Sequence, residues 1–250
     1  MLSSIKLPKK LIDIKNTDKG FTEVWTQNRS KDIANFPHPS RVVLLGPPSM
    51  GKSFLMKHLL LRQRPMFKEL YIIHGDGQCT TEFNDLEPTK IMDEIPPIEF
   101  FDSKVKTIVF IDEFSFEAMN KETTARCNKL FRYVSSHKNV SIYCSHQLCF
   151  ELPSLIRKLA NVWIIWKPRS MTETRLIANR ICMSPDQLVY IFEHICNGYR
   201  DSLCVDFHKD TPAFLRKNLW EPRNLSDIKV QKSKKNNYKN ADTDDENQII

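Results

Sequence analysis

The sequence predicts an α/β fold in which a mostly parallel β-sheet is covered by helices on both faces. The prediction rests on short apolar runs that alternate with segments of helical spacing along most of the chain. The chain contains no internal repeats. Short apolar strands separated by helices are typical of parallel sheets buried on both faces. With 41% hydrophobic and 27% charged residues, most of the 250-residue chain is expected to form one globular domain.

Local signals mark where several of the predicted strands and helices begin. A breaker cluster at Phe36–Ser40 leads into the first apolar run, and Ser184-Pro185 has the composition of an N-cap followed by a first-turn proline. Strands are predicted at Arg41–Leu45, Leu70–His74, Thr107–Ile111, Val140–Cys144, Val162–Trp166 and Ser202–Val205. Helices are predicted at Lys52–Arg62, Lys121–Ser136, Leu152–Leu159, Thr172–Ile181 and from Ser184 to about Ile195.

The remaining segments differ from this core in composition. The stretch from Gly75 to Lys104 contains several glycines and prolines and is expected to be irregular. Residues 1–36 show no strong period and are interpreted as an N-terminal lead-in, residues 37–223 as the domain, and residues 224–250 as a disordered charged tail.

Charge and hydropathy exclude some classes of protein. The apolar run after Met1 is broken by Lys6, Lys9 and Lys10, and no run approaches the ~20 residues of a membrane span. The seven cysteines form no CxxC pair, which argues against a disulfide framework and zinc ribbons. We therefore expect a soluble intracellular protein without a membrane partner. The net charge of +7 favours polyanionic partners without identifying them.

A phosphate-binding loop is predicted between the first strand and the first helix. Residues 46–53 match the pattern G-x-x-x-x-G-K-[ST] (Walker A) in full. We expect Lys52 to reach the β- and γ-phosphates of a nucleotide and Ser53 to bind Mg²⁺, while the following helix adds partial positive charge. Because Pro47 and Pro48 lack an N–H, the loop residues after them must bind the phosphates. The predicted nucleotide-binding residues are Gly46, Pro47, Pro48, Ser49, Met50, Gly51, Lys52, Ser53 and Phe54.

Two carboxylates follow the third predicted strand. Asp112 and Glu113 end the apolar run Thr107–Ile111 and match a Walker B pattern. Ligands bind where parallel strands end, and an acidic pair buried there is unfavourable without a cation. We expect Asp112 to hold Mg²⁺ and Glu113 to act as general base on the attacking water. The pair favours an ATPase, since the Asn-Lys-x-Asp pattern of guanine-specific GTPases is missing from the predicted core.

The fourth predicted strand, Val140–Cys144, continues into a polar end that includes Gln147. If this strand lies beside the other two, Gln147 faces the γ-phosphate and reports its loss. The alternative is a polar strand end without a role.

These three strand ends together resemble the FtsK–HerA superfamily of P-loop ATPases. Between roughly Arg41 and Leu219 the chain more closely resembles viral genome-packaging ATPases of the Maverick/polinton, virophage and poxvirus type. It departs from their pattern at Lys138 and in the irregular stretch that begins at Gly75. The residues that carry this closer resemblance are His137, Asn139, Gln147, Arg157, Asn161, Pro168, Arg169, Gly198, Tyr199, Thr211 and Pro212.

The resemblance implies a P-loop NTPase fold of the ASCE/RecA-like type and a ring-forming ATP-driven motor that moves double-stranded DNA into a capsid. It further implies non-specific DNA contacts, a capsid or portal protein as partner, and action where virions assemble in the host cell. In such rings an arginine of one subunit reaches the γ-phosphate of its neighbour. The candidates are Arg132, Arg157 and Arg169.

Two other functions stay open from the sequence. An AAA-type ATPase that remodels protein or nucleoprotein complexes would usually carry a separate helical lid, for which little chain is left after Pro168. A nucleotide-binding module without catalysis is disfavoured because Lys52, Ser53, Asp112 and Glu113 are all present.

Overall fold

A computed structural model of the chain describes residues 36–63, 67–75, 83–208 and 214–228. The strands of this part of the chain form one nine-stranded sheet in the order β3-β2-β4-β5-β1-β6-β7-β8-β9. In this sheet order, every neighbouring pair between β3 and β6 is parallel, and every neighbouring pair between β6 and β9 is antiparallel. The strands are β1 Arg41–Leu45, β2 Glu69–His74, β3 Lys90–Met92, β4 Thr107–Asp112, β5 Val140–His146, β6 Val162–Trp166, β7 Ser202–Asp206, β8 Leu215–Lys217 and β9 Glu221–Arg223.

Helices lie between many of the strands along the chain. They are α1 Lys52–Gln63, α2 Lys121–Lys129 with a π-helical turn Leu130–Val134 and a last turn Ser135–His137, α3 Ser154–Leu159, α4 Met171–Arg180, and α5 Pro185–Tyr190 with a π-helical turn Ile191–Ile195. Short 3₁₀ turns lie at Asn84–Leu86, Ile98–Phe100 and Leu225–Asp227. Ser184 caps α5 in a capping box with Gln187, as the Ser184-Pro185 signal predicts.

The sheet separates two apolar cores. Successive side chains of a strand point to opposite faces. In β1, Val42 and Leu44 accordingly pack with Met56 of α1 on one face, while Val43 and Leu45 pack on the other. Both faces of the central strands are therefore buried, as their continuous apolar runs predict.

The structure adds elements that the sequence patterns did not predict. Strands β3, β8 and β9 have three residues each and are rich in charged residues, so neither length nor periodicity marks them. Helix α3 begins at Ser154 and not at Leu152, because Pro153 occupies its N-cap position. Packing also continues past residue 223, since Ile228 is buried against the core.

Some predictions fall outside the described residues. They are the lead-in up to residue 35, Thr211 and Pro212, and the tail from residue 229 onward. No helix in the described ranges is both long enough and apolar enough to cross a membrane.

Candidate functional site

The order of the strands brings the predicted site residues to one side of the sheet. Strand β5 lies between β1, which leads into the phosphate loop, and β4, which ends at Asp112. In register, Asp112 lies beside Ser145 of β5, and Leu45 lies beside His146. Gly46, Glu113 and Gln147 thus follow three adjacent strands on the carboxyl side of the sheet, where the parallel strands end.

The phosphate loop has a backbone that few residues can adopt. Ser49 and Gly51 have φ angles of 65° and 89° in the left-handed region. Gly46 packs against Trp166, the last residue of β6: a Cβ atom placed on Gly46 would lie 2.7 Å from Cβ of Trp166. Only glycine fits at position 46, because a contact of 2.7 Å with a buried tryptophan leaves no room for a side chain.

Lys52 is the buried cation of this loop. Its Nζ donates to the carbonyl oxygens of Gly46 at 2.7 Å and Pro47 at 3.0 Å. Burial lowers the pKa of Lys52, and the charges of Asp112 and Glu113 oppose that shift. A phosphate in the loop would give the ammonium group a better partner than two carbonyl oxygens.

Asp112 and Ser53 form a pair of oxygen ligands of the kind that Mg²⁺ prefers. The Oγ of Ser53 donates to Oδ2 of Asp112 at 3.1 Å. Asp112 is only 2% exposed, and its Oδ1 has no hydrogen-bond partner within the described residues. Burial raises the pKa of Asp112, opposed by the nearby hydroxyls of Ser145 and Ser53. A buried carboxylate with an unpartnered oxygen beside a hydroxyl fits a hard cation.

Glu113 turns away from the strand that precedes it. Its φ of 47° is left-handed, and its side chain is exposed. It lines a cavity of about 390 Å³ together with Lys52, His146 and Gln147. The backbone turn at Glu113 therefore places a solvated carboxylate in the same cavity as the loop lysine.

The end of β5 contributes His146 as well as Gln147. The backbone N–H of Gln147 donates to Nδ1 of His146 at 2.9 Å, and the imidazole stacks on Phe116 with 5.8 Å between ring centroids. Burial, followed by the charge of Lys52, lowers the pKa of His146. The neutral ring therefore carries its proton on Nε2. No sequence pattern predicted a role for His146, although it lies directly before Gln147.

Comparison with known proteins extends these observations. No protein-family model and no curated protein matches the chain. Among solved structures, it is similar to the genome packaging NTPase B204 from Sulfolobus turreted icosahedral virus 2. The B204 structure with bound sulfate aligns with a TM-score of 0.54 and 20% sequence identity, and the alignment covers 74% of this chain and 98% of B204. In complex with AMPPCP the TM-score is 0.53 at 18% identity, with the same coverage. The DNA-packaging ATPase B204 from Sulfolobus turreted icosahedral virus gives 0.52 at 18%, covering 73% and 97%.

The fold is that of a P-loop NTPase. At these identities the likeness establishes the fold, and the P-loop NTPase fold places its nucleotide where strand β1 meets helix α1. The sequence prediction of fold class is confirmed.

The predicted arginines lie apart from the Glu113 cavity of this P-loop NTPase. Arg132 is exposed on the π-helical turn of α2, and Arg169 is exposed after β6. Arg157 is partly buried, and its Nη1 donates to the carbonyl of Cys149 at 2.9 Å, while Glu173 accepts from the N–H of Cys149 at 2.9 Å. Arg157 therefore helps to hold the loop after β5 in its own subunit, and its action on a neighbour stays a prediction.

Other predicted residues have clear places. Phe54, in the first turn of α1, is 70% exposed and packs edge-on against His58. Pro47, Pro48 and Met50 line a second cavity on the other side of the phosphate loop.

Proposed function

We propose that this chain is an ATP-hydrolysing motor that moves double-stranded DNA into a viral capsid. The observation that carries the proposal is the convergence of Lys52, Asp112, Glu113 and Gln147, with Ser53, on the carboxyl side of three adjacent strands. This set supplies a phosphate ligand, a metal ligand, a base and a polar amide in one place.

Each side chain has a step that its geometry permits. Lys52 exchanges its two carbonyl partners for the β- and γ-phosphates. Asp112 and Ser53 would hold Mg²⁺, which supplies charge neutralisation on those phosphates. Glu113, solvated and in the cavity, orients the attacking water and accepts its proton, and Gln147 contacts the γ-phosphate side.

The site is incomplete for fast hydrolysis without another copy. Within the described residues, no arginine lines the Glu113 cavity, whereas phosphoryl transfer is accelerated by an arginine on the γ-phosphate. A ring in which a neighbour contributes Arg132 or another exposed arginine would supply it.

Support for DNA as the substrate of the motor comes from the comparison and from charge. B204 is a genome packaging NTPase, and the alignment spans 98% of its sulfate-bound chain. The net charge of +7 suits a phosphate backbone that must be held without reading its bases.

An AAA-type remodelling ATPase is less well supported. After β6, the described chain forms only α4 and α5 before it returns to the same sheet as β7, β8 and β9. These helices pack against the sheet core and do not form a separate lid.

The test is steady-state ATP hydrolysis by the purified chain with and without double-stranded DNA of several sequences. We expect DNA to stimulate turnover regardless of its sequence, and the stimulation to fall as salt rises. Lys52→Ala and Glu113→Gln should each reduce turnover by about 100-fold or more. Glu99→Gln, an exposed carboxylate on a turn outside the cavity, is the matched control for Glu113 and should keep wild-type activity.

Two results would contradict the proposal. Turnover that ignores DNA, tested also with capsid protein present, would favour the remodelling function. Turnover that survives Glu113→Gln would remove Glu113 as the base.

A further inference from the structure

The second cavity beside the phosphate loop takes no part in the chemistry described above. It has a volume of about 360 Å³ and lies on the side of the loop opposite Glu113. Its lining combines the loop residues Pro47, Pro48 and Met50 with Arg169 and Tyr199 from later in the chain. A partly apolar lining with an exposed aromatic ring and two cations, Lys167 and Arg169, fits an organic ligand that carries phosphate better than a phosphate alone.

The position of this cavity suits the part of a nucleotide that lies beyond its phosphates. The proposed base Glu113 and the side chains proposed to contact the γ-phosphate, Lys52 and Gln147, line the 390 Å³ cavity. A nucleotide in the loop would therefore have its terminal phosphate on that side. Its remaining part must leave the loop on the other side. There Pro47 and Pro48, which cannot donate an N–H to a phosphate, present apolar rings.

Tyr199 stands on a rigid turn at the mouth of this cavity. Its side chain is 74% exposed, while the turn itself is fixed: the N–H of Gly198 donates to Oδ2 of Asp201 at 2.9 Å, and the N–H of Asp201 donates to the carbonyl of Gly198 at 3.0 Å. Such a ring can bind a ligand with little loss of backbone freedom.

The same turn is tied to the phosphate loop through one buried side chain. The indole N–H of Trp166 donates to the carbonyl of Arg200 at 3.1 Å, and Trp166 packs directly against Gly46. The distance between Tyr199 and the phosphate loop is therefore set by a packed tryptophan.

We propose that the second cavity binds the base and ribose of the nucleotide, with the ring of Tyr199 stacked on the base and Arg169 beside the ribose and α-phosphate. The inference rests on the proposed function, because it requires a nucleotide in the phosphate loop. It assigns Tyr199 as a binding residue for the nucleoside part, distinct from residues that bind the phosphates.

The test compares two ligands by calorimetry: ADP, which has a base, and inorganic pyrophosphate, which has none. Tyr199→Ala should weaken ADP binding about tenfold, because stacking on an aromatic side chain is lost, and should leave pyrophosphate binding unchanged. Tyr199→Phe keeps the ring and should keep the ADP affinity. Tyr133→Ala is the matched control, since Tyr133 is 46% exposed on α2 and should affect neither ligand.

The outcomes separate this inference from the proposed function. Unchanged ADP affinity in Tyr199→Ala, or an equal loss of pyrophosphate affinity, would overturn the assignment of Tyr199 while leaving the phosphate loop intact. Failure of the wild-type chain to bind either ligand would contradict the proposed function, and this inference with it.

Discussion

Polar groups are equally buried at the two ends of the parallel strands, but they differ in whether their atoms have hydrogen-bond partners. On the amino side, where the parallel strands begin, His38 is 1% exposed and both ring nitrogens have partners at 2.7 Å, Oδ1 of Asn139 and Oγ of Ser141. On the carboxyl side, Asp112 is 2% exposed and its Oδ1 has no hydrogen-bond partner among the described residues. Buried polar groups are normally satisfied, so the unpartnered carboxylate oxygen beside the phosphate loop fits the proposed role of Asp112 as a metal ligand.

The residues that carry the family resemblance also divide between the amino and carboxyl ends of the parallel strands. Asn139 has a left-handed φ of 59° and accepts from His38, while Oδ1 of Asn161 accepts from the N–H of Arg41 at 2.7 Å. Both asparagines hold strand entries on the amino side. Gln147 and Arg169, by contrast, line the two cavities on the carboxyl side. One sequence pattern thus contains residues that hold strand entries and residues that line the two cavities.

The largest expected effect comes from removing the unsatisfied carboxylate. Asp112→Asn should lower ATP turnover by about 100-fold or more, because it weakens the Mg²⁺ ligand pair. Without Mg²⁺ and nucleotide it should raise the free energy of unfolding by about 1 kcal/mol at neutral pH. Because burial raises the folded-state pKa of Asp112, the wild type loses stability as pH rises through that pKa, and the variant does not. Activity assays and urea titrations measure the two effects.

Asp93→Asn, at an exposed carboxylate, is the control and should change neither quantity. If Asp112→Asn were less stable than the wild type without ligands, the inference that the buried carboxylate of Asp112 destabilises the ligand-free protein would be wrong.

The next effect is a pH dependence of stability on the amino side. Burial lowers the pKa of His38 to about 4, from 6.5. The unfolded chain therefore takes up a proton before the folded one, and stability from this group is lost as pH falls from about 6.5 toward 4. Over that window the loss amounts to about 3 kcal/mol. Urea titrations at a series of pH values measure it.

His38→Gln should flatten this pH profile between about pH 6.5 and 5, whereas His137→Gln, at an exposed histidine, should keep the wild-type slope. Equal slopes in wild type and His38→Gln would show that His38 is not buried in its neutral form.

The smallest effect concerns Asn139. Asn139→Ala should cost about 2 kcal/mol of unfolding free energy, since it leaves His38 without an acceptor and strains a left-handed backbone. Asn139→Gly relieves the strain and should recover about half of that loss. ATP turnover per folded molecule should be unchanged in both. A fall in turnover with unchanged stability would instead place Asn139 in the functional machinery.

Much of this architecture could be predicted because its signals are local. The long apolar runs of β1, β4 and β6 and the loop pattern at residues 46–53 specify strands and a phosphate cradle without tertiary information. The order of the strands then brings Gln147 into the cavity that Lys52 of the loop also lines.

What the sequence did not predict depends on contacts between distant residues. The three-residue strand β8 forms on the edge of β7, and β9 forms on the edge of β8, and nothing in the composition of either strand marks it. The contact of Trp166 with Gly46 follows from the pairing of β1 with β6, which periodicity cannot supply. Arg157 matched a family pattern, but only the structure shows its bond to the loop after β5.

The ends of the sheet have a consequence for self-association. Among the strands of the described residues, the outermost are β3 and β9, three residues each, and Pro222 in the middle of β9 has no N–H to donate. Short edges resist the addition of foreign strands, the usual route to amyloid-like aggregation, and the proline and flanking charges of β9 strengthen that resistance at its edge. Copies of this domain can therefore be crowded together at high local concentration and still meet through side-chain surfaces, without their sheets merging.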